Sequence, residues 1–165
     1  MAFFLKSGQA IALPGGSEKA RSEFLIAPIL VELENHYNDR LAIYSGTNLD
    51  IARDQGLTGE CDFILGQGPG GITVRSPLMT MVEGKRDNVE TGIGQCVAQM
   101  VGSQRFNQAN SEEVNIIFGC VTTGEIWQFL SLEGTALTID RDRFYINQVD
   151  RILACFYHCL YQKLG

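Results

Sequence analysis

The chain has 165 residues, 45% hydrophobic and 19% charged, with 18 glycines and a net charge of -6. This composition fits one compact domain with many tight turns and excludes a disordered or fibrous chain. The balance of 13 Lys and Arg against 19 Asp and Glu argues against strong non-specific DNA binding through a broad basic face, while leaving room for a local basic groove or a metal-neutralised site.

The opening "MAFFLKSGQAIALPGG" is apolar, but Lys6 interrupts it and no basic segment precedes it, so it makes a poor signal peptide. Five cysteines without framework spacing fit a reduced, cytoplasmic protein, and no apolar run reaches the roughly 20 residues that span a bilayer. "GGSEKARSEFLIAPILVELENHY" predicts a helix. Ser17 caps it, Ala20, Phe24, Leu25, Ile29 and Leu33 supply its apolar period, and Pro28 kinks or breaks it.

Three strands follow: "RLAIYSGTNLDI", "ECDFILG" and a long central "ITVRSPLMTMVEGKR". The Gly-rich "GQGPGG" between the second and third reads as a hairpin turn, since neither a Lys-Ser/Thr pair nor a helix start follows it. "NVETGIGQCVAQMVGSQRFNQ" predicts a helix with an apolar stripe of Ile93, Val97, Met100 and Val101. Gln95 and Gln99 share another of its faces, and its glycines suggest close packing on the sheet. "VNIIFGCVTTGEIWQFLSL" predicts a hairpin turning near Thr123-Gly124, and "ALTIDRDRFYI" a short strand and loop. "NQVDRILACFYHCLYQKL" closes the chain as an amphipathic helix. Its Cys155, His158 and Cys159 lack a fourth zinc ligand and read as part of that helix's packing. The fold class is α/β: a mixed sheet flanked by helices, in the order α-β-β-β-α-β-β with a C-terminal helix.

The chemistry concentrates at the end of the third strand. Glu83 and Lys85, two residues apart, project from one strand face, and Asp62 on the preceding strand can lie beside them. Two close carboxylates repel unless a cation joins them, and a hard ion such as Mg2+ takes oxygen ligands while keeping waters for a substrate. A neighbouring Lys can serve the water or stabilise charge on a phosphate, and Gln95 on the next helix can hold a water or a phosphate. The plain alternative is a solvated salt bridge between Glu83 and Lys85, but the apolar surroundings of Asp62 weigh against it.

Asp62 followed by Glu83-Gly84-Lys85 after a hairpin, with "GECDFIL", "MVEGKRDN" and "GIGQCVAQM", resembles the PD-(D/E)xK nuclease superfamily, and in particular small nuclease-like proteins of cyanobacteria and other bacteria. The likeness covers roughly residues 17–130. It implies a restriction-endonuclease-like fold and Mg2+- or Mn2+-dependent hydrolysis of DNA phosphodiester bonds by an activated water. It further implies that Asp62, Glu83 and the carbonyl of Gly84 ligate the metal. Lys85 would serve the nucleophile, Glu23 would be an auxiliary acid, and Gln95 would match a glutamine of RecB-like members. Two positions depart from the pattern: Cys61 stands where a Pro is usual, and Gln99 where RecB-like members carry a Tyr. The expected partner is nucleic acid, DNA first, with no membrane; the apolar last helix also allows a homodimer. A second reading of the same fold is a catalytically inactive binding or assembly module.

Overall fold

The computed structural model describes residues 2–14, 16–48, 60–75 and 77–165. An opening helix, α1 (Ala2–Ala12), was not expected from the sequence. It docks through Gly8, where even a methyl group would overlap the backbone carbonyl of Phe24. Ser17 accepts a hydrogen bond from the Ala20 N–H at 3.0 Å and so starts α2 (Glu18–Arg21). The expected kink takes the form of a π-helical turn over Ser22–Ile26, after which α3 (Ala27–Tyr37) begins with Pro28 in its first turn. Proline is tolerated there because the first helical N–H groups have no partner to lose.

Among the described residues the sheet has seven strands. The path β1 (Leu41–Asn48), β2 (Glu60–Gln67), β3 (Leu78–Gly84), β4 (Ile116–Thr122), β5 (Ile126–Glu133) and β6 (Ala136–Ile139) gives both the chain order and the spatial order, while β7 (Phe144–Tyr145) also pairs with β5. All pairs are antiparallel except β3 with β4, which run parallel and are joined by α4 (Glu90–Ala109). The last helix is α5 (Val149–Leu164). The protein is thus mixed α/β with a mixed sheet covered on both faces.

Two apolar clusters define the layers. On one face α1, α3 and α5 bring Leu5, Ile29, Leu33, Ile152 and Phe156 against Phe63, Val82 and Trp127. On the other, α4 brings Cys96 and Met100 against Ile64, Met81, Ile117 and Val121. The buried face of α4 is Gly92, Cys96, Met100, Gly102, Ser103 and Asn107, whereas Ile93, Val97 and Val101 are only half-buried. Small residues win this face because the helix lies close to the sheet. A methyl on Gly92 would come within 2.6 Å of Val121 Cγ1, and one on Gly119 within 2.5 Å of Met100 Sδ.

The third strand is shorter than predicted: residues 72–75 do not pair, and Ile72 is fully exposed. Pro77 lacks an N–H for the ladder, and β3 starts just after it. At that start β3 runs past the paired part of β4, and Asn107 takes the place of the missing neighbour. Its side chain accepts from the Leu78 N–H and donates to the Leu78 carbonyl, both at 2.7 Å. The Gly-rich "GQGPGG" therefore opens a long connection rather than a tight hairpin. Residues 49–51 of the first predicted strand, Gly15 of the first predicted helix and Ser76 of the third strand lie outside the described residues. The β4–β5 hairpin turns where expected, with Gly124 at φ +82°. All five cysteines are free, and among the described residues no helix is long and apolar enough to cross a membrane.

Candidate active site

Parallel strands β3 and β4 end side by side, and α4 begins there after a short turn. In α/β sheets the carboxyl ends of parallel strands, where the backbone splays toward connecting helices, are the usual place for ligands. Glu83 is the penultimate residue of β3 and is only 1% exposed. Lys85 lies just past the strand, but its N–H still donates to the Thr122 carbonyl at 2.7 Å, so the ladder with β4 fixes its direction. Its Nζ reaches back to Glu83 Oε1 at 2.6 Å, as expected for side chains two apart on a strand. The same Nζ donates to Gln95 Oε1 at 3.1 Å.

Asp62 enters from β2, the antiparallel neighbour. The register pairs Phe63 with Val82, which sets Asp62 alongside Glu83 at the strand end. Asp62 Oδ2 accepts the Gly84 N–H at 2.7 Å. Gly84 itself is closely boxed: a methyl there would lie 3.3 Å from Ile26 Cδ1 and 3.4 Å from Asp62 Oδ2. Four expected residues, Asp62, Glu83, Lys85 and Gln95, thus form one linked group around Gly84.

Glu23 does not join it. Its exposed carboxylate pairs with Lys19 at 3.8 Å, one turn back on the same helical segment, and makes no hydrogen bond or ion pair to the other four. The acid whose charge acts on Asp62 and Lys85 from this region is Glu18, exposed in the first turn of α2. No local pattern distinguishes Glu18 in advance, because the π-helical turn that separates it from the apolar face of α3 has no periodic signature. Gln99 is the second addition. Its Nε2 donates to Glu83 Oε2 at 2.8 Å, while its Oε1 is buried and finds no donor among the protein groups. The face shared by Gln95 and Gln99 was legible as an i, i+4 pair; its direction toward Glu83 depended on how α4 sits on the sheet.

Burial raises the Asp62 carboxyl above its usual range, against the lowering pull of the Gly84 N–H and the Lys85 charge. Glu83 is raised too, by burial first; the Lys85 hydrogen bond lowers it, the Asp62 charge adds to the rise, and Gln99 lowers it again. Burial by itself would lower Lys85, yet hydrogen bonding and charge from Glu83, with Glu18 and Asp62 beyond, raise it overall. Cys61 beside them is pushed up to about 12 by burial and by the charges of Glu83 and Asp62, which leaves it an unreactive thiol.

The side-chain donors are oxygens: two carboxylates that burial holds above their usual range, the Asp62 charge adding to the rise at Glu83. That chemistry suits a hard divalent ion, since Mg2+ commonly takes one or two carboxylates and keeps waters elsewhere. Among the described residues, no group of three or more His, Cys, Asp or Glu side chains is placed to hold a metal ion. Cys155, His158 and Cys159 supply no second site: Cys159 is buried in the core, and His158 stacks edge-on against Phe118. No family model, curated protein or solved structure matches the chain.

Proposed function

We propose that the chain is a metal-dependent nuclease acting on DNA phosphodiester bonds, with the restriction-endonuclease-like arrangement of the PD-(D/E)xK superfamily. The observation that carries this reading is the clustering of Asp62 on Gly84 and of Lys85 on the buried Glu83, at the paired ends of β3 and β4. Asp62, Glu83 and the Gly84 carbonyl would hold Mg2+ or Mn2+. Such an ion, when bound, supplies charge neutralisation and activates water for attack at phosphorus. Lys85 would orient the attacking water and stabilise negative charge growing on the phosphate. Gln95, already holding Nζ of Lys85, would fix that ammonium in place. Arg86, exposed one residue further on, offers a contact to a neighbouring phosphate.

Cleavage of plasmid DNA in Mg2+ or Mn2+, comparing the parent with Asp62→Ala, Glu83→Ala and Lys85→Ala, tests the reading. Loss of cleavage in all three supports it; equal activity in all four proteins sinks it.

One observation favours the second reading, a binding or assembly module without catalysis. Both oxygens of Glu83 already have donors, Lys85 and Gln99, so the buried charge is balanced inside the protein. Calorimetric titration with Mn2+ separates the two. Binding that Asp62→Ala and Glu83→Ala abolish supports the nuclease, and absence of binding supports the module.

A further inference from the structure

The strand β6 forms one border of the sheet. Among the described residues no strand pairs with its outer side. All four residues, Ala136 to Ile139, are exposed, with Leu137 at 41% and Ile139 at 42%. Borders of soluble sheets are normally protected by Lys, Pro or a bulge, and Ala-Leu-Thr-Ile has none of these. Leu137 and Ile139 pair with the buried Leu132 and Leu130 of β5, so the apolar surface of that sheet face runs outward without interruption to the border.

The charges flanking this strand are of opposite sign and unused. Glu133 ends β5 at the Gly134-Thr135 turn, and Arg141 follows β6 by two residues. Both are exposed, and neither side chain makes an ion pair or hydrogen bond among the described residues. Asp140, between them in sequence, is occupied: its Oδ1 accepts the Asp142 N–H at 3.0 Å, and its carbonyl accepts from Gln128. An acid at one end of a strand and a base at the other is the pattern that complements itself when the strand meets an antiparallel copy.

We infer that a second copy of this chain pairs on β6, giving a two-fold symmetric dimer with one sheet continuous across both protomers. In an antiparallel register centred on Thr138, Leu137 of each copy faces Ile139 of the other on one sheet face, forming two apolar cross-strand pairs. The same register carries Arg141 of each copy to the turn from which Glu133 of the other projects. The two-fold repeats every contact, so a single strand supplies both halves of a closed interface. This inference stands independently of the nuclease reading.

Sedimentation equilibrium over a micromolar concentration series tests it, with circular dichroism to verify the fold of each variant. The parent is expected to be a concentration-dependent dimer. Leu137→Lys and Arg141→Glu should each raise the dissociation constant about tenfold or more, and Glu133→Arg should do the same. Combining Glu133→Arg with Arg141→Glu exchanges the charges and should return the affinity toward that of the parent. A parent that stays monomeric throughout, a dimer indifferent to the single substitutions, or a double variant as weak as the singles would overturn the inference.

Discussion

Gln99 Nε2 donates to Glu83 Oε2 at 2.8 Å, on the carboxylate oxygen that Lys85 does not take. A buried ionised carboxylate with one oxygen unmet is expensive, so Gln99 is an integral part of the site. Gln99→Leu is expected to destabilise the protein by about 1–2 kcal/mol, the loss of a charge-assisted hydrogen bond partly offset by removing the orphaned Oε1. It should also raise the Glu83 carboxyl further, because Gln99 lowers it now. Urea unfolding measures the first effect and carbon-detected NMR titration of Glu83 the second. An unchanged titration curve contradicts the assignment.

Asp62→Asn should stabilise the protein at neutral pH. The Asp62 carboxyl lies above its usual range because burial penalises the charged form, so the native state binds this proton more tightly than the unfolded chain. Linkage then gives the sign: stability from this group is fully present below the unfolded carboxylate range near pH 4, and is lost as pH rises through the higher native value. Asn keeps an acceptor for the Gly84 N–H without the charge. The gain over the parent is expected to be near zero at about pH 4 and to grow as pH rises toward neutrality. Thermal melts of both proteins at several pH values check this. A gain that shrinks with rising pH would show that the sign is wrong.

Gly92→Ala probes the closeness of α4 to the strand ends. The added methyl would fall 2.6 Å from Val121 Cγ1 and 2.9 Å from Lys85 Cγ. The lysine can move, but the β-branched Val121 is held in the core, so about 1–3 kcal/mol of overpacking is expected. Because Lys85 is the part that yields, Mn2+ affinity or DNA cleavage should fall more than in Gly94→Ala, where the methyl would meet nothing within 4 Å. Equal behaviour of the two variants contradicts the packing argument.

Asn107→Leu removes both side-chain bonds to Leu78 and leaves a buried backbone N–H and carbonyl unmet at the start of β3. A loss of about 2–4 kcal/mol follows from two unsatisfied groups. Hydrogen exchange at the Leu78 amide should rise together with the loss of global stability.

Most elements were legible because their signals are local. Strand alternation around Phe63 and Val82 and the cap at Ser17 needed no tertiary knowledge, and the spacing of Glu83 and Lys85 placed both on one face. The errors arose where packing selects among equal local options. The opening segment holds enough apolar residues for a helix, but only its docking at Gly8 makes it one. Ile72 and Val74 look like strand residues and lack a neighbour to pair with. On α4 the larger apolar residues suggested one stripe, while the sheet admitted the side carrying Gly92 and Cys96. The resemblance implies Glu23 as the auxiliary acid, and in the structure its carboxylate pairs with Lys19.

The π-turn at Ser22–Ile26 acts as a rotary offset between two stretches of one helical segment. Each residue of a regular helix advances about 100° around its axis, so a single extra residue turns everything before it by that angle relative to everything after. Deleting one residue from this turn would leave Ile29, Leu30 and Leu33 seated in the core and swing Glu18 away from Asp62 and Lys85. The electrostatic surroundings of those two residues are therefore adjustable by a one-codon change in a helical turn that carries neither of them. Lineages of this protein could retune that acid by length alone, with no substitution among the residues that line the strand ends.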